Sequence, residues 1–121
     1  MKAFIHSNSM HQMMGGAANG YVLIPKGNIL HGMRYENIDV DVHYGLTFSE
    51  LLDSDVLLEM FGLGPEDAGS WCVGFDTFHS GDNKEKWPEE AVLKEAERLK
   101  ENLMALELSL TTNQPQGGGA S

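Results

Sequence analysis

The sequence has little of what marks several common protein classes. It contains one cysteine, Cys72, which excludes a disulfide within the chain and favours a reducing compartment. It has no apolar run of about 18 residues, and its N-terminus lacks the charged start and apolar stretch of a secretion signal. These absences predict a soluble, cytoplasmic protein with no membrane segment.

Basic residues are also scarce. Eight Lys and Arg stand against 18 Asp and Glu, for a formal net charge of −10. The negative electrostatic field of such a chain disfavours contact with the negatively charged nucleic-acid backbone, so binding to duplex nucleic acid is not expected. The same acidity suits a protein that binds a basic partner protein and blocks it.

At 121 residues the chain fits a single domain. Residues 1–19 are rich in Ser, Asn, His, Met and Gly and predict a flexible N-terminal arm, in which Ala3–Ile5 can pair as an edge strand. Residues 111–121 are of low complexity and predict a disordered tail. The folded domain is therefore expected over residues 20–110.

Three segments have strand character. Residues 21–24 form a short apolar run closed by Pro25. Residues 38–43, IDVDVH, alternate between apolar and polar, and residues 71–78, WCVGFDTF, are aromatic and β-branched. Residues 46–52, LTFSELL, fit a further strand or the start of a short helix.

A long helix is predicted from Pro88 to about Leu110. Its apolar residues recur at spacings of three and four, which makes one stripe along the helix. They are Val92, Ala96, Leu99, Leu103, Leu106 and Leu110. This stripe can cover a sheet or meet a copy of itself in a homo-oligomer. The predicted fold is α+β, with a small, mainly antiparallel sheet packed against this helix on one face and a polar cluster on the other.

The polar cluster is expected because two of the predicted strands end in ionisable residues. If residues 38–43 pair with residues 71–78, burial of their apolar faces directs four ionisable residues to the opposite face: Asp39, Asp41, His43 and Asp76. His79 and Asp82 would then lie at the rim. Carboxylates this close together require a counter-charge.

Three arrangements satisfy that requirement. A divalent metal can be held by carboxylates and imidazoles, here His43, Asp76, His79 and Asp82. Alternatively, Lys26 and Arg34 reach in from the loop after the first strand and bind a phosphate or another polar ligand. In the third arrangement, the aspartates are solvated or cap turns.

Three stretches of the sequence carry a resemblance. They are GYVLIPKGNILHGMRY, DVDVHYGLTFSE, and WCVGFDTFHSGDN followed by WP before a helix. The chain resembles a family of small bacteriophage and bacterial proteins with a Y-V-x-x-P-x-G-H-P-L-x-G loop, a D-V-H-G-G-L-T-[FY]-S strand and a G-F-D-x-x-H-x-G-D turn. The match spans about residues 20–107, but Asn28-Ile29 replaces His-Pro and Tyr44 replaces Gly. The resemblance implies a phage setting and a counter-defence role in the host cytoplasm.

The leading hypothesis is an accessory protein that sequesters a small polar ligand, most readily a nucleotide-derived signal. Lys26 and Arg34 would meet phosphate, and His43 and His79 would donate or accept hydrogen bonds. Three aspartates would orient these groups or contact ribose hydroxyls: Asp41, Asp76 and Asp82. A metal-dependent phosphoester or nucleotide hydrolase and an acidic inhibitor of a defence protein are the alternatives, so the sequence leaves open whether the protein is an enzyme.

Overall fold

The sheet has four strands, and every pairing in the part of the chain that the structure describes is antiparallel. A computed structural model describes residues 1–113. The strands are β1 (Lys2–His6), β2 (Asn19–Ile24), β3 (Phe48–Leu51) and β4 (Trp71–Phe75), in the spatial order β1-β2-β4-β3. The predicted α+β class with an antiparallel sheet is confirmed.

Two α-helices cover the sheet. Helix α1 (Asp55–Met60) begins after Ser54, whose hydroxyl accepts a hydrogen bond from the backbone N–H of Leu57. Helix α2 (Glu89–Asn113) has 25 residues and is therefore about 37 Å long. Short 3₁₀ turns span Ser9–Gln12, Tyr35–Asn37 and Pro65–Asp67.

The apolar stripe of α2 packs on the chain's own sheet, as the sequence predicted. Val92, Ala96, Leu99 and Leu103 are fully buried against the face that carries Val22, Ile24, Val73 and Phe75. Leu106 and Leu110 pack on the edge of the same core. The stripe therefore already has a partner within this chain. A homo-oligomer through residues 88–110 stays a prediction.

The other face of the sheet is apolar, and the prediction of a polar cluster there is wrong. Tyr21, Leu23 and Cys72 point to that face and are buried with Leu52 and Leu58, which belong to the segment around α1. Burial raises the pKa of the Cys72 thiol to about 12, so the thiol stays protonated. A second small core therefore lies where the sequence suggested an open site.

Residues 38–43 are not a strand, although they were predicted to pair with β4. The two neighbours of β4 are β2 and β3, so no free edge of β4 remains. Side chains of α2 satisfy the backbone instead: Asn102 Nδ2 donates to the carbonyl of Asp41 and Glu95 Oε2 accepts from the N–H of His43. The alternation itself is real, because Ile38 and Val42 are buried while Asp39 and Asp41 are exposed.

The predicted N-terminal arm belongs to the fold. Residues 2–6 form an edge strand, which confirms the pairing expected for Ala3–Ile5, and the 3₁₀ turn that follows carries the buried His11. At the other end, residues 111–113 continue α2, which corrects the start of the predicted tail. Residues 114–121 lie outside the described residues.

No helix within residues 1–113 is long and apolar enough to span a membrane.

Candidate functional site

The segment after β4 is built by two aspartates that accept hydrogen bonds from its backbone. Asp76 Oδ1 accepts from the N–H of Phe78 at 3.0 Å, and Asp82 Oδ2 accepts from the N–H of His79 at 3.0 Å. The N–H of Asp82 donates to the carbonyl of His79, with Gly81 at φ +90° as the third residue of the turn. That positive φ is what a type II turn requires of its third residue. Both carboxylates thus cap turns, as the third arrangement predicted.

Asp82 also binds His43. The Nε2 of His43 lies 3.0 and 3.1 Å from the two carboxylate oxygens of Asp82, whose side chain is 4 % exposed. Because a buried carboxylate is costly unless it is hydrogen-bonded, this contact ties the 79–82 turn to the loop that carries His43. The His43 ring packs on Trp87 at a centroid distance of 4.2 Å.

The second imidazole, His79, lies next to the first. The ring centroids of His43 and His79 are 5.7 Å apart, and His79 stacks on Tyr44 at 4.2 Å with an interplanar angle of 16°. The Nε2 of His79 is buried and 3.1 Å from Asp76 Oδ1, but the two atoms are not aligned as a hydrogen bond. A buried ring nitrogen without a well-formed hydrogen bond is unusual and often marks a functional position.

Tyr44 is held in an uncommon backbone conformation. Its φ is +55°, and it is the one non-glycine residue with positive φ in the described range. The residue is 66 % exposed, so its ring stands at the surface beside His79. Backbone strain of this kind clusters at ligand-binding positions.

The structure therefore brings together four of the seven predicted site residues and separates the other three. The cluster contains His43, Asp76, His79 and Asp82. Lys26 lies against Gly69, beyond the end of β4 opposite Asp76, so the whole strand, roughly 13 Å long, lies between them. Arg34 pairs with Glu36 and Asp41 pairs with Arg98, both at the surface. The prediction that Lys26 and Arg34 bind phosphate at the His/Asp cluster is thus wrong.

The metal arrangement finds no support in the geometry. Within residues 1–113, no group of three or more His, Cys, Asp or Glu side chains is placed to hold a metal ion. One reason is that Asp82 is already engaged by His43 and by the backbone of the turn, and Asp76 Oδ1 by the N–H of Phe78.

A cleft opens on the other side of Asp76. We call it the Asp76 cleft; its volume is about 240 Å³, and its lining residues are Asn19, Tyr21, Thr47, Phe48, Phe75, Asp76 and Phe78. Burial raises the pKa of the Tyr21 hydroxyl, and the nearby charge of Asp76 adds to that rise. The carboxylate of Asp76 thus contacts the imidazole cluster and also forms part of the cleft wall.

One glycine on each face of the sheet makes room for an aromatic ring, and on the face of the cleft that glycine is Gly74. A Cβ on Gly74 would lie 2.4 Å from the Tyr21 ring, and a Cβ on Gly20 would lie 2.4 Å from the Phe75 ring. Each glycine sits directly across from that aromatic residue on the neighbouring strand. The rings can lie flat over the sheet because these positions lack side chains.

The far end of the cleft is fixed by His11, which belongs to the segment predicted to be a flexible arm. Its Nδ1 accepts from the N–H of Asn8, and its Nε2 faces Asn19 Oδ1 at 3.2 Å. Asn19 Oδ1 also accepts from the N–H of Thr77. Both ring nitrogens are engaged, so His11 is a structural residue that holds Asn19 in place.

Sequence reasoning missed two contributors to the site. Glu95 had no predicted role beyond its place in the helix from Pro88, but it accepts from the N–H of His43 and binds Arg98, which holds the pKa of its carboxyl below the usual range. Phe48 lines the cleft, although it was read only as part of a strand or helix start. Nothing in the sequence marks Glu95, whereas the Tyr44-Gly45 pair after an alternating segment is a turn signal that could have singled out Tyr44.

Comparisons of the chain with protein-family models, with curated proteins and with solved structures gave no match.

Proposed function

We propose that the protein binds and sequesters a small polar ligand with a flat ring in the Asp76 cleft. The observation that carries this proposal is the position of Asp76. It forms part of the wall of a cleft that is otherwise lined by three aromatic side chains and two polar residues, and it also lies beside the buried Nε2 of the half-buried His79. Apolar clefts with a few converging polar groups are the usual form of small-molecule sites.

The chemistry of the cleft suits a ring that carries hydrogen-bond donors. Phe48 and Phe78 are half-buried and offer ring surface on which a flat ligand can stack. Asp76 Oδ1 is engaged by Phe78, while no described residue donates a hydrogen bond to Oδ2. Oδ2 can therefore accept a hydrogen bond from the ligand.

A nucleotide would bind through its base and not through its phosphates. No lysine or arginine lines the cleft, and Lys26 and Arg34 lie elsewhere. The resemblance to phage proteins makes host nucleotide signals, linear and cyclic, the first ligands to screen. Their parent nucleosides are the matched probes without phosphate.

Isothermal titration calorimetry tests the proposal with two variants of equal net charge. Asp76→Asn keeps an oxygen for the N–H of Phe78 but loses the carboxylate, and Asp53→Asn removes an exposed carboxylate at the end of β3. We expect a nucleoside to bind at least as tightly as its nucleotide. Asp76→Asn should weaken that binding roughly tenfold or more, since a hydrogen bond to a charged group contributes about 1.5–3 kcal/mol.

The control variant Asp53→Asn should bind as the unmodified protein does. Absence of binding across the whole panel would contradict the proposal, and so would binding that Asp76→Asn leaves unchanged.

A further inference from the structure

We infer that the Asp76 cleft selects ligands that carry a positive charge, namely organic ammonium groups or protonated rings. This inference rests on the proposed function, because it concerns the ligand class of the same site. It narrows the proposed ligand class from small polar molecules to cationic ones.

The charge of the lining is the first argument. Asp76 is the one charged residue among the seven that line the cleft, and its side chain is 29 % exposed. An anionic group placed in the cleft would face this carboxylate without any lysine or arginine to offset the repulsion. A cationic group would meet an opposite charge at short range.

The aromatic walls of the cleft also favour a cationic ligand. The faces of Tyr21, Phe48 and Phe78 carry negative electrostatic potential, and a cation near such faces is attracted to them. Aromatic walls combined with a carboxylate are therefore a suitable environment for an ammonium group.

The polar groups at the far end are largely satisfied by the protein. Asn19 Oδ1 is engaged by Thr77 and His11, and Asn19 Nδ2 donates to the Tyr21 hydroxyl. The Thr77 hydroxyl donates to the carbonyl of Ala18. Asp76 is consequently the main group left to select a ligand by charge.

Asp76 is only partly compensated within the protein. Its Oδ1 receives one neutral backbone donor, and the neighbouring His79 Nε2 is not aligned as a hydrogen bond. The net charge of −10 adds a field that concentrates cations near the surface. The local and the long-range charges therefore favour the same class of ligand.

Three probes that share the indole ring system and differ in charge test the inference. Tryptamine is cationic, tryptophol is neutral and indole-3-acetate is anionic. Calorimetric titration of the full chain should give the affinity order tryptamine, tryptophol, indole-3-acetate. We expect tryptamine to bind roughly tenfold or more tighter than tryptophol, as for one hydrogen bond to a charged group.

The two variants separate the local carboxylate from the overall charge. Asp76→Asn and Asp53→Asn change the net charge equally, so the overall field contributes the same loss to both. Asp76→Asn should abolish the advantage of tryptamine over tryptophol, whereas Asp53→Asn should keep it. An advantage that survives Asp76→Asn would overturn the inference.

The outcomes also distinguish this inference from the proposed function. Equal or tighter binding of tryptophol or indole-3-acetate would overturn the cationic preference and leave the cleft as a ligand site. Binding of a nucleoside with no binding of any indole probe would do the same. No binding in either panel would overturn both.

Discussion

Asp76 and Asp82 belong to one ten-residue stretch, VGFDTFHSGD, and they differ in how fully their carboxylate oxygens are hydrogen-bonded within the protein. Asp82 is almost fully buried, and its oxygens are engaged by His43 and by the backbone of His79. Asp76 is partly exposed, and one of its oxygens has no hydrogen-bond donor in the described part of the chain. Asp82 therefore stabilises the turn, while Asp76 is available to a ligand.

The structural role of Asp82 predicts a larger effect on stability for Asp82 than for Asp41, an exposed aspartate of the predicted site. Asp82→Ala leaves the N–H of His79 and the Nε2 of His43 unpaired, so we expect a loss of roughly 1–3 kcal/mol in the free energy of unfolding. Asp41→Ala removes an exposed pair with Arg98 and should change that free energy by less than about 0.5 kcal/mol. Urea unfolding of both variants measures the difference, and equal losses would contradict the structural role of Asp82.

Tyr44 shows how a single residue can depart from the expected pattern. A glycine would adopt φ +55° without strain, whereas a tyrosine at this φ is strained. Tyrosine accepts the strained backbone and gains a stack on His79. From the sequence, Tyr44 could be recognised as unusual, but its stacking partner could not, because that contact joins segments 35 residues apart.

At the scale of elements, the loop from Ile38 to His43 depends on α2. Glu95 and Asn102 bind its backbone, and Arg98 binds the side chain of Asp41. The alternating sequence predicted the buried side of this segment correctly. It could not show that β4 already pairs on both edges, since strand neighbours are decided by the whole sheet.

The contact between Glu95 and the loop makes stability depend on pH. Hydrogen bonds from Arg98 and from the N–H of His43 hold the pKa of the Glu95 carboxyl below its ordinary value of 4.5. Because the folded pKa is depressed, the contribution is fully present above the unfolded pKa and is lost as pH falls through the folded pKa. Glu95→Gln should therefore be less stable than the unmodified protein at neutral pH, with a gap that narrows below about pH 4.5.

Urea unfolding from neutral pH down to acid measures this gap. The control is Glu97→Gln, which changes a carboxylate on the same helix that pairs with Lys100 at the surface. A gap for Glu95→Gln that stays constant across the range, or that widens in acid, would contradict the proposed contact.

At the scale of the whole molecule, the sheet is covered on both faces. The apolar stripe of α2 and the alternation of β4 were readable from the sequence, and they were enough to predict an α+β fold with one covered face. The second face was misjudged because Asp76 follows β4 in the sequence but lies beyond the end of the strand. The Asp76 cleft was also missed, since its floor depends on the register that sets Gly74 opposite Tyr21.

The distribution of charge likewise becomes interpretable only when the fold is known. From the composition alone, the net charge of −10 predicts that the protein does not bind duplex nucleic acid. In the fold, the basic residues assigned to phosphate lie away from the imidazoles, and a carboxylate forms part of the cleft wall. The molecule is thus better suited to a ring with donors or positive charge than to a phosphate group.

The most direct test of the central claim is an amide NMR titration of the full chain with tryptamine. The account predicts saturable shifts at Phe48, Asp76 and Phe78, with smaller shifts at Tyr44 and His79 through the contact between Asp76 and His79. Saturable shifts confined to residues outside the cleft, or no saturable shift at all, would contradict it.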